Sequence, residues 1–369
     1  VSWLRLAAAA CALELAHLRR RRAFVALTVL SALSFLVTLS LFGLTGSALP
    51  LALVDEDQTP HAARFARALT GVRHAFDVRP MNAERAGEAL RTGSLIAVLT
   101  LPQGFGAAVD RGETVAISLQ IDNLNTDLMG DVQRAVPAAV LAFGADLGLP
   151  GLRAHLLEKD LQPRDVEFLQ YVSVSALGLD ALIIGAVLGA LALAREWERR
   201  TMAVIRLAPA RLGSILAGKI AGTSVVTGLA VGVATALVVV GYRVRPTSPL
   251  GAAAGLALCT AAFVAFGACV GCVLRRAALI VPSIFAAALP LYVDCGALEP
   301  TRFDGERIWS LAHASPLYYA TGMLEWAFHG VRITPEPIWL DASVVAAFGL
   351  GSAFLGRMLL HRAVRARPS

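Results

Sequence analysis

A single interruption in the apolar sequence limits what this chain can fold into. One apolar run covers residues 23–45, a mostly polar stretch covers 46–168, and a second apolar block runs from 169 almost to the end, broken by short loops. A run of roughly 20 apolar residues matches the hydrocarbon core of a bilayer, about 30 Å thick. The pattern predicts a polytopic α-helical membrane protein: a lone span, a folded polar domain, then a bundle of spans. A soluble enzyme is excluded. A mean hydropathy of +0.64, with 56% hydrophobic and only 16% charged residues, agrees with that class.

Span length places six transmembrane helices at 23–45, 169–194, 216–240, 250–273, 278–298 and 337–360. Positive charge orients them, because cytoplasmic loops carry an excess of Lys and Arg. With the N-terminus inside, seventeen Lys and Arg fall in cytoplasmic segments against five in the short outer loops. Both termini are therefore expected in the cytoplasm, and 46–168 is expected as an extracytoplasmic domain. The first apolar run is too long, and what precedes it too extended, for a cleaved signal peptide. Within residues 1–22, Trp3, Leu4, Leu6, Leu13, Leu15 and Leu18 are interleaved with Arg5 and Glu14, which suits an interfacial helix on the inner leaflet.

The polar stretch alternates strand and helix signals. Leu51 to Val54, Phe76 to Val78, Leu95 to Leu101 and Val115 to Ile121 read as strands. Helices are expected after Pro60, at Ala86 to Leu90, at Pro102 to Val109, and from Asn125 to about Leu147. This is a small α/β domain. Its 11 basic and 15 acidic residues over 46–165 exclude a nucleic-acid platform. Asp55, Glu56 and Asp57 sit in a turn before Pro60, where carboxylates act as caps more often than as metal ligands. No cysteine lies in this domain, and the pair Cys269 and Cys272 sits in an apolar run where small residues pack helices, so no metal or redox site is expected.

Three features of the bundle need separate readings. Gly213 to Lys219 spells G-x-x-x-x-G-K, but Ile220 follows and no strand precedes, so it lacks the strand-to-helix turn of a phosphate loop. ATP hydrolysis by this chain is not expected, and no cofactor is assigned to it. Asp180 lies in the middle of a span, where a carboxylate costs several kcal/mol unless paired or wetted. It is a candidate for a pathway or a dimer interface, against the simpler role of a neutral acid bonded to a neighbouring helix. Trp309, Tyr318, Tyr319, Trp326 and Phe328 fit an aromatic belt at the outer interface.

Between the second and third spans, residues 195–215 open with Glu196, Trp197, Glu198, Arg199 and Arg200, add Met202, Val204, Ile205 and Leu207, and reach Pro209. The expectation is an amphipathic helix that lies on the membrane or docks in a partner's groove. The segment resembles the E-R-E-x-G-T-M-E-x-L-x-x-[TS]-P loop of bacterial type-2 ABC exporter permeases. Val54 to Thr59 with Phe65 resembles the family's V-D-x-D-x-[ST]…F, Ile121 to Asn125 its I-D-x-x-N, and Ser315 to Tyr319 with Gly330 its S-P-x-x-Y…G. Order and spacing are kept over essentially the whole chain. Arg200 stands where the family has Gly, and Ala203 where it has Glu.

The resemblance implies a permease subunit in the bacterial inner membrane that pairs with a second permease, identical or paralogous. A separate ABC ATPase subunit would bind ATP. Glu196, Glu198, Arg199, Thr201, Met202, Ile205, Leu207 and Pro209 would form the coupling segment, with Met202 and Ile205 sharing the face that enters the ATPase. Membrane lipid and a periplasmic adaptor are further partners consistent with the family, and the cargo would be a drug, a lipid-like amphiphile or an ion. The alternatives are an ion-coupled secondary transporter using Asp180 and a non-transporting envelope scaffold or sensor.

Overall fold

The computed structural model describes residues 3–22, 25–26, 28–30, 49–72, 76–122, 126–148, 154–160, 166, 168–202, 212–298 and 306–365. Most of the expected first span at 23–45 lies outside the described residues, as do Ile205, Leu207 and Pro209. The chain opens with α1 (Trp3–Arg20).

The polar stretch forms one sheet. Strands β1 (Leu49–Asp55), β2 (Phe76–Pro80), β3 (Ala97–Leu101), β4 (Val115–Ile121) and β5 (Ala154–Asp160) lie in the order β2-β1-β3-β4-β5. β1 runs parallel to β2 and β3, β4 runs antiparallel to β3, and β5 runs parallel to β4. β1 is buried along nearly its whole length because helices cover both faces of the sheet. On one face, α2 (Pro60–Gly71), α4 (Phe105–Asp110) and α5 (Thr126–Asp146) bring Phe65, Phe105 and Phe143 together, with ring centroids 5.5 to 5.9 Å apart. On the other, α3 (Ala83–Arg91) packs Ala86 and Leu90 on Ala52, Val54 and Val98. Thr59 and Asn82 cap α2 and α3 by accepting from Ala62 N and Arg85 N. The sequence expectation lacked β5, an edge strand whose polar Glu158-Lys159-Asp160 end carries no apolar alternation.

The apolar block forms α6 (Phe168–Glu198), α7 (Leu212–Gly241), α8 (Pro249–Leu274), α9 (Ala277–Val293) and α12 (Ile338–Arg365), with the short α10 (Glu306–Ala312) and α11 (Pro316–His329) between the last two. Among the described residues four helices, α6, α7, α8 and α12, are long and apolar enough to cross a membrane. The run expected at 278–298 is shorter: α9 has 17 residues, carries Pro282 and Pro290, and ends at Val293 in a turn. Hydropathy alone does not separate an apolar turn from an apolar helix.

α6 is the axis of the bundle and its apolar stretch is wholly buried. Small residues allow this. A Cβ on Gly189 of α6 would stand 2.4 Å from the Val264 carbonyl of α8, and one on Gly271 of α8 would stand 2.2 Å from the Ala190 carbonyl. Backbones in such contact admit nothing larger than glycine. Cys269 and Cys272 belong to the same packing. Both are free thiols, and the Cys272 Sγ lies 3.7 Å from the Gly356 carbonyl of α12.

Candidate functional site

The helices that run away from the α/β domain end in a set of buried charges. α1 lies along α7, and glycines again set the distance: a Cβ on Gly218 would stand 2.2 Å from the Ala7 carbonyl, and one on Gly222 2.9 Å from the Cys11 carbonyl. This contact carries Glu14 into the bundle, where it is 4% exposed. Its Oε1 accepts from Arg195 Nη2 at 2.7 Å, and its Oε2 accepts from Lys219 Nζ at 2.9 Å. Lys219 also donates to Glu196 Oε1 at 2.8 Å and to the Ala192 carbonyl at 3.0 Å. Arg195 Nε donates to the Leu191 carbonyl, and the Thr201 hydroxyl donates to Glu196 Oε2. Two carboxylates thus meet two cations, joining α1, the end of α6 and the start of α7. Buried ions in such a cluster are costly singly and tolerated together.

The G-x-x-x-x-G-K string is explained by this contact. Gly218 admits α1, Lys219 pairs with Glu14 and Glu196, and both lie inside α7.

Of the segment expected as an amphipathic helix, residues 196–202 are described and 203–211 lie outside the described residues. Glu196, Trp197 and Glu198 are the last turn of α6, and Arg199 and Arg200 form the turn that ends it. Arg200 has φ +57°, the left-handed conformation that favours glycine at a helix C-terminus, and it occupies the family's Gly position. Arg199 is exposed, and the exposed Glu198 accepts from the Ala277 backbone N at 2.7 Å, tying the turn to the start of α9. The Arg275 guanidinium stands 4.6 Å over the Trp197 ring. Met202 is 3% exposed and packs with Leu193, Leu216, Cys272 and Leu360. The reversal at Arg200 turns Met202 back onto the bundle, and Ile205, with which it was expected to share a docking face, lies outside the described residues. Glu14, Arg195 and Lys219 were missed as a group. The available signal was that Glu14 is the sole acid among residues 1–54 and Lys219 one of only two lysines.

Asp180 lies far from this network, in the middle of α6. It is 1% exposed, and neither carboxyl oxygen has a hydrogen-bond partner among the described residues. The turn acids of the α/β domain are occupied. Asp57 accepts from Gly104 N at 2.7 Å, Gly106 N at 2.8 Å and the Thr59 hydroxyl, while Asp55 accepts from Asp57 N and Gln58 N. The Thr59 hydroxyl, followed by the Gly106 and Gly104 amides, holds the Asp57 carboxyl below its ordinary value.

No curated relative matches the chain. A crystal structure described as a domain of an ABC type-2 transporter from Thermotoga maritima MSB8 aligns with 30% of this chain and 86% of its own, at 16% identity and a TM-score of 0.26. The sequence pattern of the family described as "ABC-2 family transporter protein" matches residues 22–356, nearly the whole length. Long apolar helices, a polar domain ahead of them and that match together say that the chain belongs to the ABC-2 family of transporter proteins.

Proposed function

We propose that this chain is the permease subunit of an ATP-driven exporter, with the charge-network end of the bundle in the cytoplasm and the α/β domain outside. Membership of the family makes the chain a membrane component of a transporter and implies an ABC ATPase partner. The export direction, the six spans including 23–45, the inner-membrane location and pairing with a second permease are our reading beyond that. So is contact with lipid or an adaptor.

The observation that supports the coupling role is the place where residues 195–202 leave the bundle. Glu196 and Thr201, both in the E-R-E-x-G-T-M resemblance, are built into the buried network with Glu14, Arg195 and Lys219. Arg199 and Glu198 face outward beside it. An ATPase that moves this turn moves the end of α6, and the ion pairs carry the displacement to α1 and α7. Since α6 is locked to α8 by backbone contacts, it moves as a rod rather than bending locally. Asp180 on that rod is buried inside the subunit, so a role in the pathway would require the displacement of α6 to uncover it.

The test uses residues that the buried network does not need. Ile205→Ala combined with Leu207→Ala removes apolar side chains, each contributing roughly 1.5–3 kcal/mol when buried. ATPase co-purification is expected to fall by one to three orders of magnitude in affinity, with insertion of the permease unchanged. Full retention of the ATPase, and of its stimulated hydrolysis, would remove the coupling assignment. The absence of any ATPase from wild-type complexes would favour the ion-coupled or scaffold alternatives.

A further inference from the structure

The opposite end of the bundle, next to the α/β domain, holds a buried acid without a balancing lysine or arginine among the described residues. Glu325 on α11 is fully buried. Its Oε1 accepts from the Ser175 hydroxyl of α6 at 2.8 Å. Its Oε2 has no hydrogen-bond partner and faces the His329 Nε2, one turn further along α11, at 3.6 Å. That nitrogen is itself buried and without a partner, while the ring also meets the Gln170 main chain. A ring N–H donated to the Gln170 carbonyl leaves Nε2 as the lone-pair nitrogen of a neutral imidazole. The two unpartnered atoms therefore face each other at 3.6 Å, and a shared proton would draw them into a hydrogen bond. Either the carboxylic acid offers it to Nε2, or the imidazolium offers it to the carboxylate.

Among the described residues the surroundings provide no other neutralising group. Tyr171 of α6 donates its hydroxyl to the Gly296 carbonyl, Cys295 lies 3.6 Å from the Thr321 hydroxyl of α11, and Tyr292 of α9 completes the wall. Asp180 lies further along α6 and is itself an acid. Glu325 stripped of the proton would be a carboxylate away from water with the Ser175 hydroxyl as its hydrogen-bond donor and no cation beside it among the described residues, which is strongly unfavourable. The network end solves the same problem with Arg195 and Lys219 around Glu14.

We propose that Glu325 and His329 form a binding site for one exchangeable proton, oriented by Ser175, and that loss of this proton loosens α11 from α6. The site is independent of the ATPase coupling above and stands or falls by itself.

The test uses the full chain in detergent micelles. Dicyclohexylcarbodiimide reacts with protonated carboxyls in apolar surroundings, and peptide mass mapping locates the adduct. Glu325 is expected to be labelled at low pH, with labelling falling about tenfold per pH unit above a single midpoint, as a one-proton titration requires. His329→Gln removes the second proton acceptor and is expected to move that midpoint. In parallel, protection of the amides across residues 316–329, taken from the exchange rate relative to the intrinsic base-catalysed rate at each pH, is expected to fall as pH rises in the native chain and to become independent of pH in Glu325→Gln. Absence of labelling at every pH, or labelling indifferent to pH, would overturn the proposal and leave Glu325 as a fixed structural group. An unchanged pH dependence of protection in Glu325→Gln would overturn its link to α11. The labelling needs no variant, so it decides the site even where a variant fails to fold.

Discussion

Glu14 shows how much one residue can hold in this molecule. Among the described residues it is the only carboxylate touching both Arg195 and Lys219, so Glu14→Gln leaves two buried cations to share Glu196. Removing one partner of a buried ion pair costs about 3–5 kcal/mol, and thermal unfolding in detergent should show a marked fall in Tm. Glu14→Met combined with Lys219→Met deletes one charge of each sign and leaves Arg195 near Glu196. The double variant is expected to be more stable than the sum of the single ones, and additive losses in the double-mutant cycle would refute the network as a unit. Asp57 has a different signature. Its carboxyl is held below the ordinary value of 3.8, so its contribution is complete above that value and fades as pH falls through the lowered one. Asp57→Asn is expected to speed hydrogen exchange at Gly104 and Gly106 at neutral pH, with the difference from wild type shrinking in acid. A difference that persists unchanged in acid would mean that the charge is irrelevant.

At the scale of elements, glycines decide which helices meet. Gly218→Leu places a branched side chain where even a Cβ comes within 2.2 Å of the Ala7 carbonyl, so α1 is expected to lift from α7. Cys11 lies in that contact and is half-buried, unlike the other four cysteines, which are buried. Its reaction with a maleimide should accelerate in the variant while the other thiols stay protected, and an unchanged rate would show that α1 is held elsewhere. The sheet was largely legible in the sequence, because the short apolar run Leu51 to Val54 is bounded by the turn residues before Pro60 and Val115 to Ile121 alternates apolar and polar residues as a half-buried strand does. The approach of α1 to α7 was not legible, because it depends on Gly218 and Gly222 meeting a helix far away in sequence. The turn after Glu198 was hidden for another reason. Arg200 takes a left-handed backbone that an arginine does not advertise, and only the family's Gly at that position hinted at it. Glu325 was concealed by its neighbours: an acid in the aromatic stretch from Tyr318 to Phe328 reads as part of an interface belt until Ser175 is found bonded to it.

At the scale of the whole molecule, the bundle is polar in its charge distribution, and that polarity carries the orientation. Arg195, Arg199, Arg200, Lys219, Arg275, Arg276 and Arg357 belong to the helix ends that meet at the buried network. The α/β domain joins the bundle at the start of α6, the opposite end of that helix. Basic residues are retained on the cytoplasmic side because moving them across a bilayer against the membrane potential is unfavourable. The network end should therefore face the cytoplasm and the domain the outside. The measurement is accessibility to a membrane-impermeant thiol reagent in intact cells, after replacement of the native cysteines. A cysteine at Gln103, exposed beside α4 of the domain, should react, whereas one at Arg211, just ahead of α7, should react only after permeabilisation. The opposite pattern would invert the molecule and place the turn at Arg199 outside, beyond reach of any cytoplasmic ATPase. The coupling role would then fall with the topology, while the Glu325–His329 pair would keep its proton but face the cytoplasmic pH instead.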